Sequence, residues 1–444
     1  MSAVLRLPKD PGPAGWNRLL PDPPPPQPLE EAITADWLVI GAGFAGLAAA
    51  RRLAELCPGD RIVILEATRV GDGPAGRNSG FMIDLPHDLS SADYAGGLAA
   101  DLAQTEGNRA GIAFARDMAA AAELPDEVFA ETGKINAAAT EAGEAHNHAY
   151  ARHLDAMGEP HIHLDAAEMR ARTGIEYYRS GLFTPGTVMI QPAAFVRGVA
   201  GSLRSNRVAL HELSPVTRLE RRADWCAHTP KGRVTAPRVI LAVNGHLESF
   251  GHASRRLLHV FTYASMTREL SPAEVTRLGG HRTWGATPAD PMGTTVRRIA
   301  GAGGERIVVR NRFTLEPSME VDEAALARIT RSHDRAFRAR FPMLGAVTME
   351  YRWGGRLCLS RNGVQVVGEL DEGLYSACCQ NGLGTAKGTH AGRLAAELAC
   401  GQSSAALDRA LAAAAPARLP PGPLTWLGAT ARIRWGEHRA GRER

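Results

Sequence analysis

Six residues near the start of the chain are of a kind that cradles phosphate. Gly41-Ala42-Gly43-Phe44-Ala45-Gly46 forms a G-x-G-x-x-G run. In such a run the first glycine permits a tight turn, the second lets backbone approach a pyrophosphate, and the third lets helix and strand pack closely. A helix beginning there turns unpaired N–H groups and the positive end of its dipole toward the phosphates. Glu66 stands 20 residues beyond Gly46. A carboxylate at that distance accepts hydrogen bonds from both ribose hydroxyls of an adenosine and repels a 2′-phosphate. The set predicts a dinucleotide site, NAD or FAD; the bland alternative is a glycine turn in an ordinary α/β domain.

These residues need elements to hold them. Trp37-Leu38-Val39-Ile40 is a short apolar run that predicts a strand, Leu47 to Leu56 an alanine-rich helix, and Arg61-Ile62-Val63-Ile64-Leu65 a second strand. Together they predict a βαβ unit of about thirty residues with a buried parallel pair. Residues 1–33, with Pro23 to Pro26, are too rich in proline for helix or central strand and read as an arm extended over the globular body. Residues 93–172 are dominated by Ala, Glu, Asp and Arg, with helical patches at Arg109 to Leu124 and Ala166 to Arg172. Strands are expected at Val208 to Glu212, Arg238 to Val243, His259 to Met266 and Arg306 to Phe313; the last two alternate as an antiparallel sheet with one wetter face does. A helix from Glu323 to Phe341 stops at Pro342. After it come a strand at Leu374 to Cys378, a glycine turn, and a helix from Thr385 to Cys400. The proline-containing tail after Gly401 ends in the basic stretch Arg432 to Arg444, read as a solvated terminus.

Composition bounds the partners. The chain has 444 residues, about three times a domain of roughly 150 residues. Hydrophobic residues make up 44% and charged residues 22%, which excludes a largely disordered chain. A net charge of +4, from 51 basic and 47 acidic side chains, gives no reason to expect nucleic acid. Cys57, Cys226, Cys358, Cys378, Cys379 and Cys400 lack the spacing of a zinc or dithiol motif. His146, His148, His153, His161 and His163 share no fixed helical register, so no metal is expected. No apolar run approaches the ~20 residues of a membrane span, and no signal peptide opens the chain. The expectation is a soluble cytoplasmic protein with reduced thiols.

Beyond Glu66 the run Gly73-Pro74-Ala75-Gly76-Arg77-Asn78-Ser79-Gly80 is similar to G-A-S-G-R-N-x-G, the flavin-wrapping segment of the D-amino-acid-oxidase-like family of FAD-dependent oxidoreductases. Pro185 to Pro192, Val239 to Gly245, Trp353-Gly354-Gly355, Leu374 to Ala377 and Gly382-Leu383-Gly384 extend the resemblance in family order, from about Asp36 to Cys400. It is closest to the γ-glutamylputrescine oxidase and sarcosine oxidase-like branch. Two departures place unusual side chains near the flavin: Cys379 where a glycine is usual, and Gln365 where a proline is common.

The resemblance implies an α/β fold: a doubly wound, Rossmann-like FAD domain (34–92, 180–250 and 345–402) with an inserted α+β substrate domain (93–179 and 251–344) containing an antiparallel sheet. An arm (1–33) precedes them and a tail (403–444) follows. It implies FAD held by Gly41, Gly43, Phe44, Ala45, Gly46, Glu66, Ala67, Gly76, Arg77, Asn78, Ser79, Gly80, Val216, Gly245, Trp353, Gly354, Gly382, Leu383, Gly384 and Thr385. The attachment is expected to be noncovalent, because Cys358 is not where some relatives bond their flavin. The implied reaction is oxidation of the C–N bond of a small amine or amino acid to an imine, with O2 or another acceptor taking the electrons. Alternatives are oxidation of a hydroxy acid, and a flavin-bearing subunit of an electron-relay complex. Tyr263, Trp284, Arg297 and Arg298 fall where the family lines its substrate pocket, with Tyr263 and Arg298 the preferred pair. Lys387 is a candidate to assist oxygen reduction, and His87, within Asp84 to Asp88, a candidate proton relay.

Overall fold

Trp37–Ile40 and Ile62–Leu65 are buried on both faces and pair in parallel, Trp37 opposite Ile62, in a computed structural model that describes residues 2–86 and 96–444. The helix between them runs Phe44–Leu56. It starts three residues earlier than its alanine-rich stretch suggests, because Gly46, a poor helix former, lies inside its first turn.

Four more strands complete a six-stranded sheet. Its order is Val208–His211, Ile62–Leu65, Trp37–Ile40, Arg238–Leu241, Leu374–Cys378 and Val366–Asp371. The first five run parallel and the last antiparallel. Alternate side chains serve two cores. Trp37, Val39, Ile62 and Ile64 pack with the helices Phe44–Leu56, Leu98–Ala121, Pro192–Leu203 and Ala386–Ala399. Leu38, Ile40, Val63 and Leu65 pack instead with Val216 and with Leu219, Trp225 and Val234 of a five-stranded meander, antiparallel except where Ala32–Thr34 runs parallel to Arg233–Ala236.

An eight-stranded sheet forms the second body. Its order is Met349–Ser360, Leu257–Thr267, Arg306–Leu315, Thr295–Ile299, Trp284–Pro288, Lys134–Ala138, Ser180–Thr184 and Ile162–Leu164. Every pairing is antiparallel except that of Trp284–Pro288 with Lys134–Ala138. The helix Glu323–Arg340 covers its outer face, burying Ala336 and Phe337 against Ile135, Val296 and Ile307. The inner face turns to the parallel sheet.

The expected domain limits shift in two places. Ser180–Thr184, expected with the cofactor domain, hydrogen-bonds to Lys134–Ala138 and so belongs to the eight-stranded sheet. Met349–Ser360, also expected there, is that sheet's edge and pairs along Leu257–Thr267. The tail is ordered and docked at its end, though most of its residues stay exposed. Gly422–Arg439 is helical, and the Glu443 carboxylate is buried, accepting hydrogen bonds from Ala139 N at 2.8 Å and Thr140 N at 2.9 Å. The arm is more than a drape. Ser2–Ala3 and Ala32–Thr34 are the two outer strands of the meander, and Trp16 is buried in a T-shaped contact with Trp353 at 6.2 Å.

Candidate active site

The glycine turn, the end of Ile62–Leu65, the segment 71–79 and the loop that leads into Ala386–Ala399 converge on one crevice with about 1850 Å³ of open space. Gly41 has φ +103°, and a Cβ there would lie 2.7 Å from the Ala242 carbonyl oxygen. A Cβ at Gly46 would lie 1.8 Å from the Gly41 carbonyl oxygen, so helix and turn touch backbone to backbone. Glu66 is buried at the end of its strand. Its carboxylate accepts Ala42 N at 2.9 Å with one oxygen and Thr68 N at 3.0 Å with the other. Burial pushes its pKa up against those hydrogen bonds, so the charge calls for further donors.

Two helices aim their starts at this space. Phe44–Leu56 and Ala386–Ala399 both begin without a side-chain cap, at Gly43 and Thr385. Their first-turn N–H groups and positive dipole ends are left for an anionic ligand. Thr385 Oγ1 instead donates to Phe81 O at 2.8 Å, fixing the second helix to the wrapping segment. A ribose-binding carboxylate, two open helix starts and a long glycine-lined channel fit FAD.

Of the residues expected to hold the cofactor, Gly41, Gly43, Phe44, Ala45, Glu66, Ala67, Arg77, Asn78, Ser79, Val216, Gly245, Gly382, Gly384 and Thr385 line the crevice. The others lie behind its wall. Gly46 and Gly76 allow close backbone contacts, Gly76 against Gly71. Gly80 sits against the Arg297 guanidinium, and Leu383 packs with Phe81, Ile83 and Met189. Trp353 is fully buried and donates to Arg77 O at 2.9 Å, while Gly354 O accepts from Arg77 Nη1 at 3.1 Å. The wall at this point is Gly355 to Cys358.

The substrate and catalytic candidates need correction. Tyr263 points beneath the helix Glu323–Arg340, packed with Phe261 and Leu326, and its hydroxyl pairs with Thr314 Oγ1 at 2.6 Å. Arg298 is buried in an ion pair with Glu305 at 2.8 Å. Trp284 lies opposite Arg298 and packs in the core on that side of the sheet. Arg297 faces inward but is spent on structure, donating to Ser79 O, Gly80 O and Ile190 O at 2.8 to 3.1 Å. Lys387 extends to Gln104 Oε1, 3.1 Å away, and does not line the crevice. His87 and Asp88 lie outside the described residues. From the histidine group, His148 and His163 pack ring to ring at 5.1 Å, and His153 pairs with Asp101 at 2.8 Å. A separate group, Glu220, Cys226 and His228, has ligand atoms within 4.8 Å of one another, but Arg218 and Arg222 already bring positive charge to Glu220.

The sheet presents other side chains to the crevice. Thr262 and Arg310 line it from neighbouring strands, and the Arg310 guanidinium rests 4.6 Å from the Phe313 ring centre. Strand alternation carries the signal for Arg310, since Val308, two residues away, packs inward with Trp16 and Trp353. The arm is also part of the wall, through Val4, Arg6, Leu7 and Pro8; nothing in its proline-rich composition marks these. His246, another lining residue, accepts from Arg356 Nη1 at 2.7 Å, and burial with that neighbouring charge pulls its pKa down to about 3. Cys358 beside it is a thiol: hydrogen bonding with Cys379, then burial, raises its pKa well above the ordinary value.

Residues 36–398 match the family model described as "FAD dependent oxidoreductase". The chain belongs to this family. It is an FAD-dependent oxidoreductase. Among its relatives is the gamma-glutamylputrescine oxidoreductase of Escherichia coli (strain K12), 26% identical over 386 residues, 84% of this chain and 86% of the relative. Among solved structures, glycine oxidase from Geobacillus kaustophilus aligns with TM-score 0.69 at 19% identity, covering 84% of this chain and 96% of that one. L-amino acid deaminase from Proteus vulgaris aligns with TM-score 0.66 at 18% identity, covering 89% and 96%. These likenesses place the FAD-dependent oxidoreductase in its fold. Among the described residues no helix is long and apolar enough to cross a membrane.

Proposed function

We propose that this enzyme oxidises the C–N bond of a small amine or amino acid to an imine, which water then hydrolyses. The observation that carries the reading is Arg310, placed on the crevice wall by the substrate sheet beside Thr262. A guanidinium fork there holds a carboxylate by two parallel hydrogen bonds and sets the rest of the substrate in register. The relative named gamma-glutamylputrescine oxidoreductase supports an amine as the oxidised group. Bound FAD supplies a hydride acceptor at its N5.

The chain's own part is positioning and electrostatics. The start of Ala386–Ala399 offers its dipole to negative charge that builds in the crevice. Residues 4–8 of the arm close one side against water. His246, held neutral, adds no cation beside Arg356. A substrate bound as the free amine needs no strong base. FAD is read as noncovalently bound, because a protonated Cys358 is a poor nucleophile toward the flavin. The cytoplasm is read as the compartment, which suits six unpaired cysteines. O2 or another electron carrier takes the electrons.

The test is anaerobic mixing with amines, amino acids and hydroxy acids while flavin absorbance is followed. Bleaching by an amine or amino acid supports the reading, and bleaching by hydroxy acids alone overturns it. Readmitting air then reports whether O2 is the acceptor, and acid precipitation reports whether the flavin is released.

A further inference from the structure

Leu424, Trp426, Leu427 and Trp435 are 62%, 50%, 61% and 68% exposed, and all belong to the helix Gly422–Arg439. Helical spacing sorts this helix into two faces. Ala429 and Ile433 turn inward and pack beside Val260, Phe313 and Leu315, and Glu437 on the same side pairs with Arg312 at 3.1 Å. Leu424, Leu427, Ala431 and Trp435, at steps of three, four and four, make an apolar stripe on the opposite face. Arg432 and Arg439 flank the stripe on one side and Arg434 on the other; Arg439 also approaches Asp290 at 3.9 Å. The helix carries a single acidic residue, Glu437, and that one is buried. Beside the start of the helix, a groove lined by Trp426, Leu5 and Arg255 shares Arg6, His259 and Met319 with the cofactor crevice. Leu5 is 76% exposed.

We propose that this face docks on the surface of an anionic lipid bilayer, with the stripe at the headgroup boundary and the arginines against lipid phosphates. An exposed tryptophan in line with two exposed leucines, edged by arginine on a helix free of exposed carboxylates, matches the chemistry of an interfacial helix. Charge complementarity selects the occupant: the exposed side of the helix is edged by arginine and carries no exposed carboxylate, and an anionic surface is its complement. The helix lies along the surface and does not span it, consistent with the absence of a membrane-crossing helix among the described residues.

The experiment is co-sedimentation of the FAD-loaded full chain with vesicles of phosphatidylcholine alone or mixed with phosphatidylglycerol. At roughly 0.05 M salt, most of the protein should pellet with the anionic vesicles and little with neutral ones, and added salt should release it. Tryptophan emission should shift to the blue on binding. Leu427→Ala with Trp435→Ala, and separately Arg432→Glu with Arg434→Glu, should each lower partitioning about tenfold while FAD absorbance stays unchanged. Equal pelleting with both vesicle types, or none with either, overturns the proposal. So does a wild-type dimer in sizing runs that the Trp435→Ala variant abolishes, which would hand the stripe to a second copy. Variants that bind as wild type would also overturn it.

Discussion

Asp10 in the arm accepts a hydrogen bond from Arg356 Nη2 at 2.9 Å, and its second carboxylate oxygen stands 3.8 Å from Arg77 Nε. All three side chains are nearly excluded from solvent. One carboxylate thus joins the arm to the wrapping segment and to the edge strand Met349–Ser360. Asp10→Asn leaves two buried guanidinium groups without their shared counter-charge, a loss of about 3 kcal/mol. Urea unfolding should show that loss, and the FAD dissociation constant should rise because residues 4–8 are no longer held against the crevice. Unchanged affinity would show that the arm does not shape the cofactor site.

The glycines of the turn should separate by role. Gly46→Ala places a methyl 1.8 Å from the Gly41 carbonyl oxygen, so helix and turn must part. That variant should be colourless and destabilised. Gly43→Ala meets only Ala75 Cβ, at 3.4 Å. It should fold normally yet bind FAD at least tenfold more weakly, its methyl occupying the path of the phosphates. Thermal melts of both apo proteins, with flavin titrations, distinguish the two outcomes.

Arg310→Met tests the substrate reading. Losing a bidentate carboxylate contact should lower kcat/KM for an amino acid about a hundredfold. An amine without a carboxylate should be oxidised within about threefold of the wild-type rate by the same reasoning. Equal losses for both would make Arg310 structural, through its contact with Phe313.

Acid should weaken the fold through buried imidazoles. Burial lowers His333 and His246 to about 3 and His390 to about 4. His333 is held by Ser265 Oγ at 2.7 Å and Asn311 O at 3.3 Å. Unfolded, each titrates near 6.5. Between those values the unfolded chain binds more protons than the folded one, so stability is present above pH about 6.5 and falls as pH drops toward 4. Unfolding free energies from pH 7.5 to 4 should trace this slope, and His333→Gln should flatten it. A slope unchanged in that variant would remove His333 from the account.

The cofactor half of the molecule is legible in the sequence because its constraints are local. Gly41, Gly46 and Glu66 are set by a short unit whose spacing follows from one strand, one turn and one helix. The substrate wall is different. Arg298 and Arg310 are both arginines on antiparallel strands, and the face of the assembled sheet that each occupies decides that one meets Glu305 while the other reaches the crevice. Tyr263 and Thr262 are neighbours in sequence, and the pleat sends them to opposite sides of the sheet. The arm's contribution was hidden for a further reason: the partners of Asp10 lie 67 and 346 residues away, beyond any local pattern.

The meander beside the parallel sheet is closed at both edges by the start of the chain, Ser2–Ala3 against Arg218 and Leu219, and Ala32–Thr34 against Arg233 to Thr235. A ribosome makes these edge strands first and their partners some two hundred residues later, a wait on the order of ten to forty seconds at ordinary elongation rates. The arm therefore waits through some two hundred residues of synthesis without a docking place, and the crevice wall it supplies is completed only after the inserted helices have emerged.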